Sequence, residues 1–511
     1  MFCSILFPTH GQHSLPQKTT EPDCFKDLNL DQIIQPLLLE NKEFQLEGYF
    51  YTSLNDKQVV IYRQEIMKEL EDESLCSLFK SFSDAVNGLQ KYMEEIKEYD
   101  DDYLTKGKIL HCAEQYCWQV SELSKALSRR GLTSPGLSGF KSYLSEYTGS
   151  AEFIKLEEEV SKLREKLSSV EYCMLIKNDT IKIREYEEQE DHSIKILELF
   201  ERFRQGDVKE FRHILPEDPE APHVEAAILD IVADLYKDAF KALDGFCENQ
   251  GDFFDGVLSE FAREIRFYIS WLEHIRQLRN MGLSFNYPTI CDKKDNLYCY
   301  DMFDLALGFM LEHKSQHKVI TNNFTLEAPE RIIVITGPNQ GGKTTFARAF
   351  GQLHWLASLG LCVPGSKSAL CLFDNIYTHF GVEEDLETLS GKLMDDLKRL
   401  RDIQSKATEN SIIIVNEIYS STTLMDALTL GGRMMDYFAE LGALAVCVTF
   451  LDELASHGEE TVSMMSTVEE EDPARRTFKI VRKPPDGLAY AMHIAGKYGL
   501  RYDQLDGRLR K

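Results

Sequence analysis

Over the first 280 residues, apolar side chains recur at every third or fourth position with charged residues between them, the spacing of helices that bury one face. Leu70 to Glu98 and Glu152 to Ser169 carry the pattern, the second through Phe153, Leu156, Val160, Leu163 and Leu167. One short stretch departs from it. Tyr172 to Ile176 and Thr180 to Arg184 are two β-type runs about the polar Lys177-Asn178-Asp179, which predicts a small hairpin within a helical arm. A loop rich in proline and acid, Leu215 to His223, leads into a further helical region from Val224 to Met281.

Beyond Gly282 the period changes. Short apolar runs alternate with helical segments, which predicts a largely parallel sheet with helices on its faces. Strands are expected at Ile332 to Thr336, Ala369 to Leu372, Asn375 to Phe380, Ser411 to Val415, Leu444 to Thr449 and Thr477 to Val481. The boundary therefore falls within Gly282 to Asp292. The chain divides into a tail at 1–24, a helical domain at 25–281 and an α/β domain at 282–511.

The first of these strands runs into Gly337, Pro338, Asn339, Gln340, Gly341, Gly342, Lys343 and Thr344, followed by Thr345 and a helix-like stretch. This is the order of parts in a phosphate-binding P-loop. Glycines let backbone amides curl round phosphate oxygens, Lys343 reaches the β and γ phosphates, and the Thr344 hydroxyl joins a Mg2+ shell. ATP and Mg2+ are the expected ligands. A second apolar strand, Ser411 to Val415, ends in Asn416-Glu417, where a Walker B pair of carboxylates belongs. Glu417 is placed to orient or deprotonate an attacking water. Asn416 stands where the first acid should be. It can accept from a Mg2+-bound water but adds no charge, so weaker metal binding and slow turnover are expected.

Composition narrows the setting. The 511 residues are 43% hydrophobic, enough for about two to four cored domains. No apolar run reaches the length of a membrane helix, and Met1 to Phe7 lacks the basic start of a signal peptide. The 12 cysteines show no CxxC pair or ligand cluster. Reduced thiols in a cytoplasmic protein fit this usage, with Cys112 and Cys117 as helix-packing residues. The net charge of −27 is uneven: 33 basic and 53 acidic residues lie in 1–280, against 24 and 31 from 281 onward. Such a balance argues against a general DNA-coating surface, because nucleic-acid affinity comes from phosphate neutralisation.

The α/β half resembles the ATPase domain of the MutS mismatch-repair family. Thr336 to Thr345 is similar to that family's TGPNxGGKST, far more specific than a bare P-loop pattern. Leu361-Cys362-Val363-Pro364, Gly381 to Leu386, Asn416-Glu417-Ile418 with Thr422, Thr423 and Asp426, Val448-Thr449 through Glu453-Leu454, and Phe478 through Ala495 resemble later family segments in the same order. The likeness is specific from about Phe285 to Arg508 and weaker upstream. It implies an ABC-type, MutS-like P-loop ATPase domain preceded by an all-α core and lever with a reduced clamp at the hairpin.

The resemblance also implies a homodimer with composite ATP sites, in which Ser390 and the Gly391 amide reach the partner's γ-phosphate. Pro288-Thr289-Ile290 resembles the segment that flanks the adenine, with Ile290 where the family carries an aromatic stacker. Phe450 replaces the family's histidine after the third strand, which leaves Glu417 as the catalytic group. The helical arm starts by about Phe25, and Phe44-Gln45-Leu46-Glu47 has the wrong spacing for a mismatch wedge, so mismatch recognition is not expected. The leading expectation is an ATP-gated DNA clamp for branched or otherwise unusual DNA, with a repair or recombination protein as partner. The alternative is a nucleotide-gated protein scaffold that hydrolyses slowly or not at all and does not bind DNA.

Overall fold

The computed structural model describes residues 2, 4–9, 18–96, 102–177, 180–186, 221–249, 252–312, 318–381, 392–419, 421–469 and 475–485. In chain order the helices are α1 (Cys24–Leu28), α2 (Leu30–Glu40), α3 (Glu47–Tyr51), α4 (Lys57–Glu69), α5 (Glu73–Ile96), α6 (Tyr103–Ser128), α7 (Pro135–Thr148) and α8 (Ala151–Ser168). After the hairpin strands β1 (Tyr172–Lys177) and β2 (Thr180–Glu185) come α9 (Ala221–Leu235), α10 (Lys237–Asn249) and α11 (Gly256–Asn280). There follow β3 (Phe285–Asn286), β4 (Thr289–Cys291), β5 (Leu297–Met302), α12 (Leu305–Glu312), β6 (Asn322–Leu326), β7 (Ile332–Thr336), α13 (Lys343–Ser358), β8 (Val363–Pro364), β9 (Lys367–Cys371) and β10 (Ile376–Phe380). The last are α14 (Lys392–Lys406), β11 (Ile412–Asn416), α15 (Leu424–Leu441), β12 (Leu444–Val448), β13 (Thr461–Val468) and β14 (Arg476–Arg482). Among the described residues no helix is long and apolar enough to cross a membrane.

The chain forms two compact units. The first comprises Met1–Phe2, Ser81–Gly131 and Gly139–Ala262, and the second comprises Cys3–Lys80, Leu132–Ser138 and Arg263–Lys511. In the first unit α6 turns a long apolar face inward, with Leu110, Tyr116, Val120, Leu123 and Leu127 buried beside Cys112 and Cys117. Phe153, Leu156, Val160 and Leu163 of α8 and Phe240, Leu243 and Phe246 of α10 are buried as well. The two cysteines are free thiols in this helix core. Polar groups inside it find partners: Asp255 N donates to Tyr116 Oη at 3.0 Å, and Tyr143 Oη donates to Asp255 Oδ2 at 2.8 Å. Antiparallel pairing of Tyr172 with Glu185 and Lys177 with Thr180 forms the hairpin the sequence predicts. The helical region expected from Val224 to Met281 consists of the three helices α9, α10 and α11.

The second unit is built on a six-stranded sheet in the order β10-β11-β12-β7-β13-β14, parallel except where β14 runs against β13. Every residue of β7 and β12 is buried, and β11 is buried up to Val415, because both faces of a parallel sheet are covered and its strands become continuous apolar runs. On one face Ile413, Val415, Ala445 and Cys447 meet Met434, Met435 and Phe438 of α15 and Leu400 and Ile403 of α14. Helix α13 is buried almost all round. Three of its side chains donate to backbone carbonyls early in the chain: Arg348 Nε to Asp27 O at 3.0 Å, Gln352 Nε2 to Leu28 O at 2.8 Å and Trp355 Nε1 to Phe50 O at 3.1 Å. A four-stranded sheet, β4-β9-β5-β6, and the pair β3-β8 complete the unit.

Within the stretch read as a tail, residues 4–7 pack into this unit. Ser4 to Phe7 are buried; Ser4 Oγ donates to Glu264 Oε1 at 2.5 Å and Ile5 N to Glu264 Oε2 at 2.9 Å. Arg63 donates Nε to Leu6 O at 3.0 Å and a terminal nitrogen to Leu359 O at 3.2 Å, with its guanidinium 4.9 Å from the Phe7 ring centre. Phe25 and Phe44 lie in the same core.

Candidate nucleotide site

The loop 337–342 leaves the buried end of β7 and delivers the chain into α13. Gly337 and Gly342 have φ of 106° and 88°, and Gln340 has φ of 57°. These left-handed turns curl the loop, and glycine takes them without Cβ strain. Space demands glycine too. A Cβ on Gly337 would lie 2.8 Å from Ser466 Oγ on β13, and one on Gly341 would lie 2.4 Å from it. Ser466 is fully buried and, among the described residues, its hydroxyl has no hydrogen-bond partner.

Lys343 opens α13 and turns its side chain back over the loop. Its Nζ donates to Gly337 O at 2.9 Å, to Pro338 O at 3.1 Å and to Asn339 Oδ1 at 3.5 Å. The Phe450 ring covers the ammonium with its centre 4.4 Å away. Burial pushes the ammonium below its ordinary pKa range; Glu417 pulls it back up and Arg476 adds to the lowering. The lysine is thus enclosed by carbonyls, an aromatic face and one carboxylate.

The end of β11 meets this lysine's neighbour. Thr344 Oγ1 donates to Asn416 Oδ1 at 3.0 Å. Asn416 lies between Phe380 of β10 and Val448 of β12 in strand register. The chain then turns sharply: Glu417 has φ of 55°, Tyr419 has φ of 59°, and Glu417 N donates to Val448 O at 2.9 Å. A non-glycine residue held in the left-handed region is uncommon and marks a place where surrounding structure dictates backbone geometry. Loop, Lys343, Thr344, Asn416, Glu417 and Phe450 are therefore gathered at the ends of three adjacent strands. This cluster can hold a triphosphate, a hard cation and a water.

Other residues singled out in the sequence fall elsewhere. Thr423 caps α15: its Oγ1 accepts from Asp426 N at 3.2 Å and donates to Asp426 Oδ2 at 2.8 Å. The Thr-x-x-Asp element is thus a reciprocal helix cap. Ile290 is 5% exposed in β4, opposite Leu370 of β9, and no described contact joins it to the loop. Ser390 and Gly391 lie outside the described residues, as do residues 382–386 and 486–495; α14 begins at Lys392, immediately after Gly391. Thr345 follows Thr344 in the first turn of α13.

Sequence reasoning did not find the contribution of β14. Arg476 Nε donates to Asn339 O at 3.1 Å, so this last strand braces the loop from the side opposite β12. Phe478 lies against Gly342. The only signal in the sequence was an arginine and a phenylalanine in a strand of otherwise ordinary pattern.

Residues 333–502 match the family model of MutS domain V. The chain is 29% identical over 180 residues to Endonuclease MutS2 of Gemmatimonas aurantiaca, covering 35% of this chain and 22% of that protein. It is 28% identical over 257 residues to DNA mismatch repair protein MutS of Lactobacillus helveticus, covering 46% and 29%. With Endonuclease MutS2 of Thermus thermophilus the identity is 30% over 183 residues, covering 35% and 24%. The matched part is thus less than a third of the length of each of these relatives. Domain match and loop geometry agree, and residues 333–502 form a domain similar to MutS domain V.

Proposed function

We propose that residues 282–511 are an ABC-type, MutS-like P-loop domain that binds and hydrolyses ATP, that residues 25–281 serve as a helical core and lever, and that the protein works as an ATP-gated DNA clamp in repair or recombination. The observation that carries the reading is the convergence of Lys343, Thr344, Asn416 and Glu417 on one loop at the ends of β7 and β11. Lys343 neutralises the outer phosphates once its carbonyl partners release it, and the loop amides cradle the rest. Thr344 Oγ1 and Asn416 Oδ1 are hard oxygen donors of the kind Mg2+ takes, with Asn416 acting through a bound water. Held by these two oxygens, Mg2+ would supply charge neutralisation to the phosphates. Glu417 takes the proton from the attacking water as its oxygen bonds to the γ phosphorus and ADP leaves.

Two subunits would complete each site, with Ser390 and the Gly391 amide, which precede α14 in the sequence, meeting the partner's γ-phosphate. DNA is the proposed partner because relatives named for DNA mismatch repair share this domain. Branches or junctions are the proposed DNA class; Phe44, of the wedge-like Phe44-Gln45-Leu46-Glu47 stretch, is a core residue and cannot intercalate. A cytoplasmic location fits this work. A nucleotide-gated scaffold with little turnover and no DNA contact is the second reading, favoured by the uncharged Asn416 and by the Phe450 ring over Lys343.

The deciding experiment is the steady-state ATPase rate of the full chain with and without duplex, branched and single-stranded DNA, with Glu417→Gln as control. Stimulation by branched DNA that disappears in the variant supports the clamp. ATP binding with a rate indifferent to every DNA supports the scaffold.

A further inference from the structure

The sheet order gives the phosphate loop two different sides. Asn416, Glu417 and Phe450 follow β11 and β12, on one flank of β7, and the Lys343 ammonium points to that flank, 4.4 Å from the Phe450 ring centre. A triphosphate held by Lys343 therefore directs its terminal phosphate toward β11 and β12. Its nucleoside leaves on the other flank, where β13 and then β14 stand.

On that flank β14 touches the loop twice. Arg476 Nε donates to Asn339 O at 3.1 Å, and a Cβ placed on Gly342 would lie 3.6 Å from Phe478 O and 3.8 Å from Phe478 Cβ. Phe478 is 49% exposed and has φ of 56°. A bulky aromatic residue in the left-handed region is a true outlier, and such outliers persist only where other groups enforce them. Asn322 of β6 does so, donating Nδ2 to Phe478 O at 3.2 Å and accepting from Ile480 N at 2.7 Å. The fold thus spends an asparagine and a strained backbone on holding one exposed ring beside the loop. Ile290, at the position where the family resemblance places an aromatic, is buried in another sheet and presents no such face.

We propose that Phe478 is the residue on which the nucleoside base of the bound triphosphate stacks, with Asn322 as its positioning residue. This rests on the nucleotide reading of the loop and deepens it. A flat aromatic face accepts any base, so the contact recognises a nucleoside triphosphate as against a bare polyphosphate and discriminates weakly between purines.

The test is equilibrium titration of the full chain with MgATP and with magnesium tripolyphosphate, in the wild type, Phe478→Asn and Phe478→Trp. Asparagine tolerates the left-handed backbone and removes the ring; tryptophan keeps a stacking face. ATP affinity is expected to fall roughly tenfold in Phe478→Asn and to persist in Phe478→Trp, while tripolyphosphate affinity is unchanged in both. Equal loss of both ligands in Phe478→Asn, or loss of neither, overturns the stacking role while the nucleotide reading stands. A wild type that binds tripolyphosphate as tightly as ATP also overturns it. A wild type that binds neither ligand overturns the nucleotide reading and the stacking role together.

Discussion

The Thr344 hydroxyl donates to Asn416 Oδ1 across 3.0 Å, so the first turn of α13 and the end of β11 are joined by a neutral hydrogen bond where a carboxylate would make a charged one. At the proposed Mg2+ position the amide keeps an oxygen acceptor but supplies no charge. Asn416→Asp keeps an acceptor for Thr344 and adds one negative charge beside the cation. The Mg2+ concentration giving half-maximal ATPase is expected to fall about tenfold, with turnover rising. Titration of activity with Mg2+ at saturating ATP reads both; an unchanged midpoint removes Asn416 from the metal shell.

Lys343 and Glu417 are expected to separate binding from chemistry. Lys343→Ala should weaken ATP binding by at least about a hundredfold, because the charge facing the β and γ phosphates is lost. Glu417→Gln should bind ATP as the wild type does, lose turnover by about a hundredfold or more, and accumulate a closed dimer in ATP. Ligand titration and solution mass measurement with and without ATP check the pair. Normal turnover in Glu417→Gln would sink the assignment of the general base.

How much of this was legible in the sequence depends on how locally each feature is determined. Strands β7, β11 and β12 are continuous apolar runs because burial on both faces leaves no polar positions, and they read directly. The loop follows from its own glycines and lysine. The hairpin at Tyr172 is written in neighbouring residues. In contrast, β13 reads Thr-Val-Ser-Met-Met-Ser-Thr-Val, and its membership in the central sheet is decided by pairing with Ile332 to Thr336. The left-handed backbone of Phe478 depends on Asn322, far away along the chain. Ile290 sits in a segment that the family resemblance makes ligand-facing, whereas in the structure it is buried in β4, opposite Leu370 of β9.

Gln352 supplies a stability test away from the chemistry. Fully buried in α13, it donates to Leu28 O at 2.8 Å and to Asp304 Oδ1 at 2.9 Å, and accepts from Leu305 N at 2.9 Å. Gln352→Ala leaves those buried groups short of partners and opens a void. A loss of about 3 kcal/mol is expected, seen as a lower midpoint of denaturant unfolding.

Acid should unfold the protein earlier than its carboxylates alone would dictate. Burial depresses the pKa of His354, whose Nδ1 lies 2.9 Å from Phe350 O, from 6.5 to about 4; burial does the same to His274. Both are neutral when folded. Between about pH 6.5 and about pH 4 the unfolded chain holds the extra protons, so their contribution is complete above the unfolded value and is lost as pH falls. Each adds a slope of about 1.4 kcal/mol per pH unit within that window. Unfolding midpoints measured across it should flatten in His354→Leu; an unaltered slope would show that the ring titrates normally in the folded state.

Helix α13 sets the smallest piece of this protein that can stand alone. Its Arg348, Gln352 and Trp355 donors are received by backbone carbonyls of Asp27, Leu28 and Phe50, and it is buried on nearly every side. A fragment starting at residue 282, where the sequence period changes, would leave those donors bare and turn the covered side of the helix into a sticky surface. An excised nucleotide domain should therefore aggregate on expression, and a chain that keeps residues 263–281 and is also supplied with residues 4–80 should stay soluble.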